Sequence, residues 1–403
     1  MNQVIYILVD DFSNNKKEAF FENELPYICS VFKKVYVISL YPNENKVLNY
    51  NAANLEVLQF NYFAACNRVS VFRKNFRSVF KIYFSEFAKT HNKGFYLINF
   101  RFLINQLVLT FSAAENLERF IKKDMEPTTL FYCYWFKQWA AALSIIKMYR
   151  PELKFVSRVH GGDYDEDQIK STFPFRYFQL ANINRVFPVS EYGRNYLINK
   201  FKVNPSKIIT ARLGLSLQSN SSKIDTGELH FVSCSSVIPL KRVHLIVEIL
   251  KHVKTQCSWT HFGDGPLLED LKQQANLLQC KVEFKGYVPN AEFIDYLKTG
   301  SANFFINVSE SEGIPVSMME AIANGIPLIG TAVCGVPEIV TNETGILLTP
   351  DFTPAEAANL IEKEHISGKM YTSEFRAGII KFCRNNFSAE VNSKKLTEVL
   401  ATV

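Results

Sequence analysis

The chain has 403 residues, of which 47% are hydrophobic and 21% are charged. This length exceeds one ordinary hydrophobic core and fits two α/β domains of about 200 residues each. The net charge of +6 is low for a dedicated nucleic-acid-binding protein, so we expect no nucleic-acid partner. An anionic membrane surface or a phosphate-bearing substrate fits this charge better.

The cysteines and the N-terminal sequence both favour a cytoplasmic protein. The eight cysteines lie far apart, without a Cys-x-x-Cys pair or histidines at zinc-ligand spacing, so we expect reduced thiols. The first residues lead directly into a strand-like segment and lack the basic region and cleavage site of a signal peptide. Because no run of about 18 uncharged apolar residues occurs, we expect neither secretion nor a membrane-spanning helix.

Short apolar runs alternate with helix-length amphipathic segments along the chain. This alternation predicts an α/β fold with parallel sheets and crossover helices. The predicted strands are 4–9, 35–40, 129–133 and 155–159 in the first half, and 229–233, 258–262, 282–284, 304–306 and 327–330 in the second. The polar segment 216–227 between the two sets predicts an interdomain linker.

The segment 68–93 interleaves basic and aromatic residues, and Glu86 is its only acid. Phenylalanines recur at helical spacing, which predicts an amphipathic helix; they are Phe72, Phe76, Phe80 and Phe84 or Phe87. Two interpretations are open. Either the helix rests on anionic lipid, or its aromatic stripe faces the core while its Lys and Arg side chains are merely solvated.

The predicted strand 155–159 is followed by the sequence His-Gly-Gly-Asp-Tyr-Asp-Glu at 160–166. The imidazole of His160 can donate or accept a hydrogen bond near neutral pH, and the glycines leave room for a substrate. A lone histidine is more often structural, but this setting makes His160 a candidate catalytic residue. Asp163 and Tyr164 are candidates for substrate contact.

Two adjacent cations, Lys241 and Arg242, follow the predicted strand 229–233, and we predict that a helix bears both. Cations at a helix start oppose the helix dipole, so a bound diphosphate would explain their position; solvated surface cations are the alternative. Two later strand ends carry glycines, Gly263 and Gly286, which permit close approach of the backbone to a ligand.

Two glutamates, Glu312 and Glu320, bracket the segment that follows the predicted strand 304–306. The first falls on a loop and the second about one turn into a helix, so both can face a ligand at the helix N-terminus. Carboxylates bind hydroxyls, while free N–H groups and the helix dipole favour negative charge. This combination suits a sugar nucleotide, although the bare spacing of two acids is weak evidence.

Together these segments resemble the retaining glycosyltransferases of the large family usually numbered four, the glycosyl transferases group 1. The resemblance rests on Ser-Glu-Gly-Ile-Pro-Val-Ser at 311–317, on Gly-Val-Pro-Glu at 335–338 and on the histidine segment, and it runs from about residue 18 to 389. It implies a GT-B fold of two facing Rossmann-like domains. Residues 1–215 would bind the acceptor, residues 228–385 the nucleotide sugar, and a helix at 386–403 would pack back on the first domain.

The resemblance also assigns roles to individual residues. It places His160 and Glu312 at the reacting centre, with Glu312 holding sugar hydroxyls. It gives the donor Lys241, Arg242, Gly263, Val288, Gly313, Ile314, Pro315 and Glu320, and the acceptor Asp163 and Tyr164. Two positions depart from the family pattern, because Ser236 stands where arginine is frequent and Cys334 where a second glycine is frequent.

The implied reaction moves a sugar from a UDP- or GDP-sugar to a hydroxyl of a saccharide or lipid-linked saccharide, in bacterial surface-polysaccharide assembly. It would proceed without a metal or other cofactor. Mg²⁺ near Asp10 and Asp11, or at the Asp-x-Asp pattern of Asp163 and Asp165, is a minor alternative. Peripheral contact with the inner face of the cytoplasmic membrane would follow if the basic helix binds lipid. A sugar-nucleotide epimerase of the same fold and a catalytically silent sugar-nucleotide-binding scaffold are the other functions left open.

Overall fold

The computed structural model describes residues 3–10, 19–40, 48, 50–62, 66–121, 128–166, 172–216, 228–299 and 301–403. The chain divides into two compact units, Met1–Gly214 with Ala389–Val403, and Leu215–Ser388. The predicted linker lies outside the described residues from position 217 onward.

The first unit contains a parallel sheet with helices packed on it. Its strands are β1 (Val4–Val9), β2 (Lys34–Ser39), β3 (Leu55–Leu58), β4 (Leu130–Cys133), β5 (Lys154–Val159) and β6 (Arg185–Pro188). Its helices are α1 (Ala19–Val31), α2 (Arg68–Lys89), α3 (Lys93–Ile98), α4 (Phe100–Ile121), α5 (Gln138–Tyr149), α6 (Arg176–Asn182) and α7 (Glu191–Phe201). The strands run in the order β3-β2-β1-β4-β5-β6, and the inner ones are buried on both faces, as expected for a sheet covered by crossover helices.

The second unit repeats this architecture. Its strands are β7 (Leu229–Cys234), β8 (Cys257–Phe262), β9 (Lys281–Gly286), β10 (Phe304–Asn307), β11 (Leu328–Thr331) and β12 (Gly345–Leu348), in the order β12-β11-β10-β7-β8-β9. Its helices are α8 (His244–Leu250), α9 (Leu268–Ala275), α10 (Asn290–Thr299), α11 (Val316–Ala323), α12 (Pro354–Ser367) and α13 (Ser373–Phe387). The predicted architecture of two parallel α/β sheets is confirmed.

Helix α14 (Ala389–Leu400) belongs to the first unit, although it follows the second along the chain. Leu396 and Leu400 lie in the same buried cluster as Phe21 and Leu25 of α1. The backbone N–H of Leu215 donates to the carbonyl of Phe387 at 2.8 Å, so the two ends of the second unit are joined by a hydrogen bond. Within the described parts of the chain, no helix is both long and apolar enough to cross a membrane.

Each sheet reverses its direction of strand addition at one place. In the first sheet the neighbours at this place are β1 and β4, and in the second they are β7 and β10. Loops that leave the carboxyl ends of two such strands diverge to opposite faces of the sheet, which opens a crevice between them. The loops after β7 and β10 carry Lys241 and Glu312, so the topology alone places these two side chains at one edge.

Replacing Leu396 by Ala should lower the free energy of unfolding of the first unit by about 2–4 kcal/mol, because a buried aliphatic side chain leaves a cavity against α1. Lys395→Ala changes the exposed neighbour on the same helix and should shift stability by less than about 0.5 kcal/mol. Urea unfolding followed by tryptophan fluorescence measures both variants. Equal effects of the two substitutions would contradict the packing of α14 on the core of the first unit.

Candidate functional site

The loops after β7 and β10 are joined by an ion pair. The Lys241 ammonium lies 2.6 Å from Oε1 of Glu312, and the two side chains are 21% and 12% exposed. The backbone N–H of Glu310 also donates to the carbonyl of Leu240 at 2.9 Å. Two residues 71 positions apart in the sequence are thus brought into direct contact at the carboxyl edge of the sheet.

Glu312 is held by three donors on one oxygen. Besides Lys241, the hydroxyl of Ser309 donates to Oε1 at 2.7 Å and the amide of Asn307 at 3.2 Å. None of the hydrogen bonds among the described residues reaches Oε2. The carboxylate is therefore fixed in position while it keeps capacity to accept hydrogen bonds from a ligand.

The predicted placement of both cations on a helix is wrong. Lys241 ends a 3-10 turn over Pro239–Lys241, and α8 begins only at His244. Arg242 between them has a φ of 47°, a left-handed conformation that interrupts helical geometry. The two cations therefore lie in a turn before the helix, and this turn allows their side chains to point in different directions.

The Arg242 side chain is engaged with the loop after β10. Its guanidinium donates to the carbonyls of Val308 and Ser309 at 2.8 and 3.1 Å, and to the hydroxyl of Thr331 at 3.4 Å. Burial lowers the pKa of Arg242 from its ordinary value, and nearby Glu310 partly opposes this. Its geometry is that of a group that holds the Glu312 loop in place.

The segment that carries Glu312 is packed closely against the loop after β11. A Cβ on Gly335 would lie 1.8 Å from the carbonyl oxygen of Gly313, so only glycine fits there. Cys334 adopts a left-handed φ of 47°, the conformation that glycine favours at this position. Ile314 and Pro315 are buried behind the same loop and lead directly into α11.

Glu320 lies in a different environment from Glu312, although both belong to one motif. It is buried in α11, and the side-chain amide of Asn290 donates to its Oε1 at 2.7 Å. Burial raises the pKa of Glu320 to about 7, and the Asn290 hydrogen bond opposes the shift. Glu320 borders a cavity of about 210 Å³ between α10 and α11, which is also lined by Asp295, Lys298 and Asn324.

The two glycines at neighbouring strand ends contact each other through the backbone. The N–H of Gly263 donates to the carbonyl of Gly286 at 2.7 Å. Gly263 has a φ of 136°, and a Cβ there would lie 1.9 Å from the carbonyl oxygen of Ser235. Val288 is half-buried in the loop between β9 and α10, two residues before Asn290. These loops therefore lie along the same edge of the sheet as Lys241.

In the first unit, His160 follows β5 and packs against aromatic rings. Its ring centroid lies 4.2 Å from that of Trp135 and 5.1 Å from that of Tyr134. The Lys137 ammonium lies over the Trp135 ring and 3.8 Å from Asp10 at the end of β1. Burial lowers the pKa of His160 well below its ordinary value, and the positive charges of Arg158 and Lys137 add to this shift. His160 is therefore neutral at neutral pH.

Asp163 and Tyr164, the predicted acceptor contacts, are both buried. The two carboxylate oxygens of Asp163 accept the backbone N–H groups of His160 at 2.7 Å and Phe136 at 2.9 Å. Burial raises the pKa of Asp163 to about 6, and these bonds oppose the shift. Tyr164 lies in the core, with its ring 5.6 Å from that of Tyr196. Asp163 shapes the loop that presents His160, and Tyr164 anchors it.

Among the described residues, no group of three or more His, Cys, Asp or Glu side chains is arranged to hold a metal ion. Asp165 is buried and accepts the Tyr192 hydroxyl at 2.9 Å, so the Asp-x-Asp pattern at 163–165 is occupied by protein donors. Asp11 lies outside the described residues.

Several residues of the site escaped prediction. They are Asn307 and Ser309, which donate to Glu312, Asn290, which donates to Glu320, and Trp135, which packs on His160. Asn307 and Ser309 lie just after the predicted strand 304–306, and this position at the carboxyl end of a strand could have indicated them as site residues. Asn290 and Trp135 become recognisable only once the chain is folded.

Comparison with known families gives a match over part of the chain. Residues 216–372 match the family model described as glycosyl transferases group 1. The chain is 25% identical over 264 residues to WcaL of Salmonella typhimurium, whose name assigns it to colanic acid biosynthesis as a glycosyltransferase. This match covers 62% of the chain and 64% of WcaL, less than two-thirds of that protein. The family resemblance identified in the sequence is confirmed.

Comparison with solved structures extends over the full chain. The apo form of the lipopolysaccharide outer core galactosyltransferase WaaB superimposes with a TM-score of 0.72 at 11% identity, covering 100% of both chains. The HepE protein of Anabaena, solved in complex with UDP, superimposes with a TM-score of 0.67 at 15% identity and the same coverage. At these identities the likeness concerns the fold, and the predicted GT-B fold is confirmed.

Replacing Glu320 by Gln should stabilise the second unit more at high pH than at low pH. Because the pKa of Glu320 rises from 4.5 to about 7 on folding, the folded chain binds more protons between these values. The stabilising contribution of the protonated carboxyl is thus complete below pH 4.5 and is lost as the pH rises through 7. The increase in the free energy of unfolding caused by Glu320→Gln should grow over this pH range to roughly 3 kcal/mol and then level off.

Urea unfolding at pH 5, 6, 7 and 8 measures this gain. Glu374→Gln, on the exposed face of α13, is the matched control. A gain that does not change with pH, or the same profile in the control, would contradict the buried setting of Glu320.

Proposed function

We propose that this chain, whose residues 216–372 belong to the glycosyl transferases group 1 family, is an enzyme that transfers a sugar from a nucleoside diphosphate to an acceptor hydroxyl. The observation that carries the proposal is the contact between Lys241 and Glu312 where the second sheet reverses its strand order. A cation and an anchored carboxylate at this edge match the two parts of the donor, an anionic diphosphate and a hydroxyl-bearing sugar.

Lys241 is proposed to bind the diphosphate. Its ammonium is partly exposed and is paired with a single carboxylate oxygen, so a phosphate oxygen can join or replace this partner. Helix α11 begins at Val316, and the first N–H groups of a helix have no carbonyl partner within it. Lys241 and these N–H groups would together stabilise the negative charge that develops as the glycosidic bond breaks.

Glu312 is proposed to anchor the transferred sugar. Three donors converge on Oε1, which fixes the carboxylate and leaves Oε2 for sugar hydroxyls. The backbone of Gly313, packed on Gly335, would border the same sugar, with Ile314 and Pro315 as its support. Lys241 would therefore lie close to both the phosphate and the sugar. The glycosidic bond that breaks joins these two groups.

Glu320 and Val288 are proposed to hold the nucleoside. Glu320 borders a cavity and has one protein donor, Asn290, so its second oxygen is suited to a ribose hydroxyl. Val288 lies in the loop that leads into α10, the helix that begins with Asn290, and its backbone would contact the base. Gly263 would allow the chain to pass close to the nucleotide. UDP is the nucleotide we favour, because HepE, which shares this fold, was solved with UDP.

Arg242 is proposed as a positioning residue rather than a phosphate ligand. Its guanidinium already donates to two carbonyls of the Glu312 loop. Ser236, where relatives often carry arginine, is exposed and adds no charge. The leaving diphosphate is therefore neutralised by Lys241 and backbone N–H groups with one side-chain cation fewer than is usual in the family.

His160 is proposed to orient the transferred sugar, with the anomeric configuration retained as the family resemblance implies. A neutral imidazole packed on Trp135 is a fixed hydrogen-bonding group and has little tendency to take up a proton at neutral pH. We propose that no metal takes part. The acceptor is proposed to be a saccharide or lipid-linked saccharide of a bacterial surface polysaccharide, a proposal supported by the name of WcaL.

Replacing Lys241 by Ala should lower the transfer rate about 10²–10³-fold, because it removes the side-chain cation at the leaving diphosphate. The control is Lys251→Ala, which breaks a surface pair of similar length, 2.7 Å to Glu248, away from the site. Both variants should change stability by no more than about 1 kcal/mol, since the pairs are partly exposed. An unchanged transfer rate in Lys241→Ala would refute the phosphate assignment.

A panel of UDP, GDP, ADP and their common sugars should identify the donor through a rise in melting temperature. We expect a UDP-sugar to give the largest rise, and Glu320→Ala to remove most of it, because the ribose contact is lost.

Nucleotide release measured with and without lipid-linked acceptor then distinguishes the three candidate functions. Release that needs acceptor supports transfer, conversion of the sugar nucleotide alone indicates an epimerase, and binding without either reaction indicates a silent scaffold.

A further inference from the structure

Helix α2 exposes two of its phenylalanines. Its buried positions are Asn75, Val79, Ile82, Tyr83 and Glu86, which form the face packed on the first unit. Phe76 and Phe84 are 50% and 58% exposed, and Phe72 and Phe80 are half-buried. Phe72 also packs against the core of the first unit, so the aromatic stripe is divided between core and surface, and the core interpretation does not account for Phe76 and Phe84.

The exposed rings form a continuous row. Ring centroids are 5.5 Å apart for Phe72 and Phe76, 4.8 Å for Phe76 and Phe80, and 6.0 Å for Phe80 and Phe84. Phe100, at the start of α4, joins the row at 6.4 Å from Phe80. The row thus runs along about three turns of α2 and continues onto the neighbouring helix.

Exposed apolar side chains are concentrated in the part of the sequence that contains this row. Seven of the fifteen exposed large apolar side chains of the described chain lie between positions 69 and 102; they are Val69, Phe76, Phe84, Leu97, Ile98, Phe100 and Phe102. We call the row of contacting rings, Phe72, Phe76, Phe80, Phe84 and Phe100, the α2 surface. Contiguous exposed apolar patches of this kind mark contact sites for proteins or membranes.

Cations lie directly beside the rings. Arg73, Arg77 and Lys81 follow Phe72, Phe76 and Phe80 by one residue each, so they form a parallel row, and all three are exposed. Among the described residues none of the three takes part in an ion pair, whereas the neighbouring Lys74 is paired with Glu115 at 3.0 Å. The free positive charges are therefore concentrated on the edge of the apolar surface.

We propose that the α2 surface binds the surface of an anionic lipid bilayer. Aromatic side chains of an amphipathic helix enter the boundary between headgroups and acyl chains, while flanking Lys and Arg side chains meet lipid phosphates. The α2 surface and the cations beside it supply both, in adjacent rows between Phe72 and Phe84. This inference does not depend on the proposed sugar transfer.

Co-sedimentation with vesicles tests the proposal without donor or acceptor. The full chain should bind vesicles of equal phosphatidylglycerol and phosphatidylcholine at low salt, bind them less at high salt, and leave pure phosphatidylcholine unbound. Arg77→Glu with Lys81→Glu should weaken binding at least about tenfold. Lys381→Glu with Lys395→Glu, exposed cations elsewhere, gives the same change in net charge and should bind like the unaltered chain.

The apolar row is tested separately. Phe76→Ser with Phe84→Ser should weaken binding about tenfold or more, while Leu360→Ser with Ile366→Ser, which removes exposed apolar side chains of the second unit, should not. Circular dichroism and the melting temperature without added nucleotide report the folding of each variant.

Three results would overturn the proposal. They are absence of binding to anionic vesicles at low salt, equal binding by the α2-surface variants and their controls, and a dimer in sedimentation velocity that Phe76→Ser with Phe84→Ser converts to monomer. The last result would assign the α2 surface to a second copy of the chain.

Discussion

The ion pair between Lys241 and Glu312 is the interaction on which the candidate donor site depends. It joins the two loops that diverge where the second sheet reverses, and Arg242 and the Gly313–Gly335 contact hold the same loops from behind. A partly exposed pair adds little to stability. Its value is positional, because it keeps a cation and a carboxylate adjacent at a place where a ligand can reach both.

The first unit uses a buried ion pair in a different way. Arg158 of β5 is paired with Glu24 of α1, and Tyr132 hydrogen-bonds to both at 3.1 Å. Burial raises the pKa of Glu24 against the effect of the Arg158 charge. Removing one member of such a pair is costly because the other charge stays buried. This pair therefore fixes β5, which His160 follows directly. The rigid, buried pair lies behind His160, whereas the partly exposed Lys241–Glu312 pair lies within the candidate donor site.

Local patterns predicted the inner strands but not every edge of the sheets. Nine strands follow from apolar runs, whereas β3, β6 and β12, which escaped prediction, are four-residue strands at sheet edges. Short edge strands bury less surface, so their sequences carry a weaker pattern. The order and spacing of the sequence motifs indicated Lys241 and Glu312 as candidate donor-site residues. The sequence could not show whether Phe76 lies in the core or on the surface. Nor could it show that the Asp163 carboxylate accepts backbone N–H groups of its own loop, because both features depend on tertiary packing.

The two glutamates of the motif differ in environment, and this bears on how the site works. Glu312 is compensated by a cation, whereas Glu320 is buried with one amide donor and a pKa of about 7. A general acid and base need to exchange protons with the reacting atoms, but Glu312 already accepts three hydrogen bonds on one oxygen. Glu320, protonated or ionised, can still hydrogen-bond a diol. Both carboxylates are thus suited to hold hydroxyls. In the proposed sugar transfer, catalysis would then rest on stabilising the charge of the leaving diphosphate at Lys241 and the start of α11.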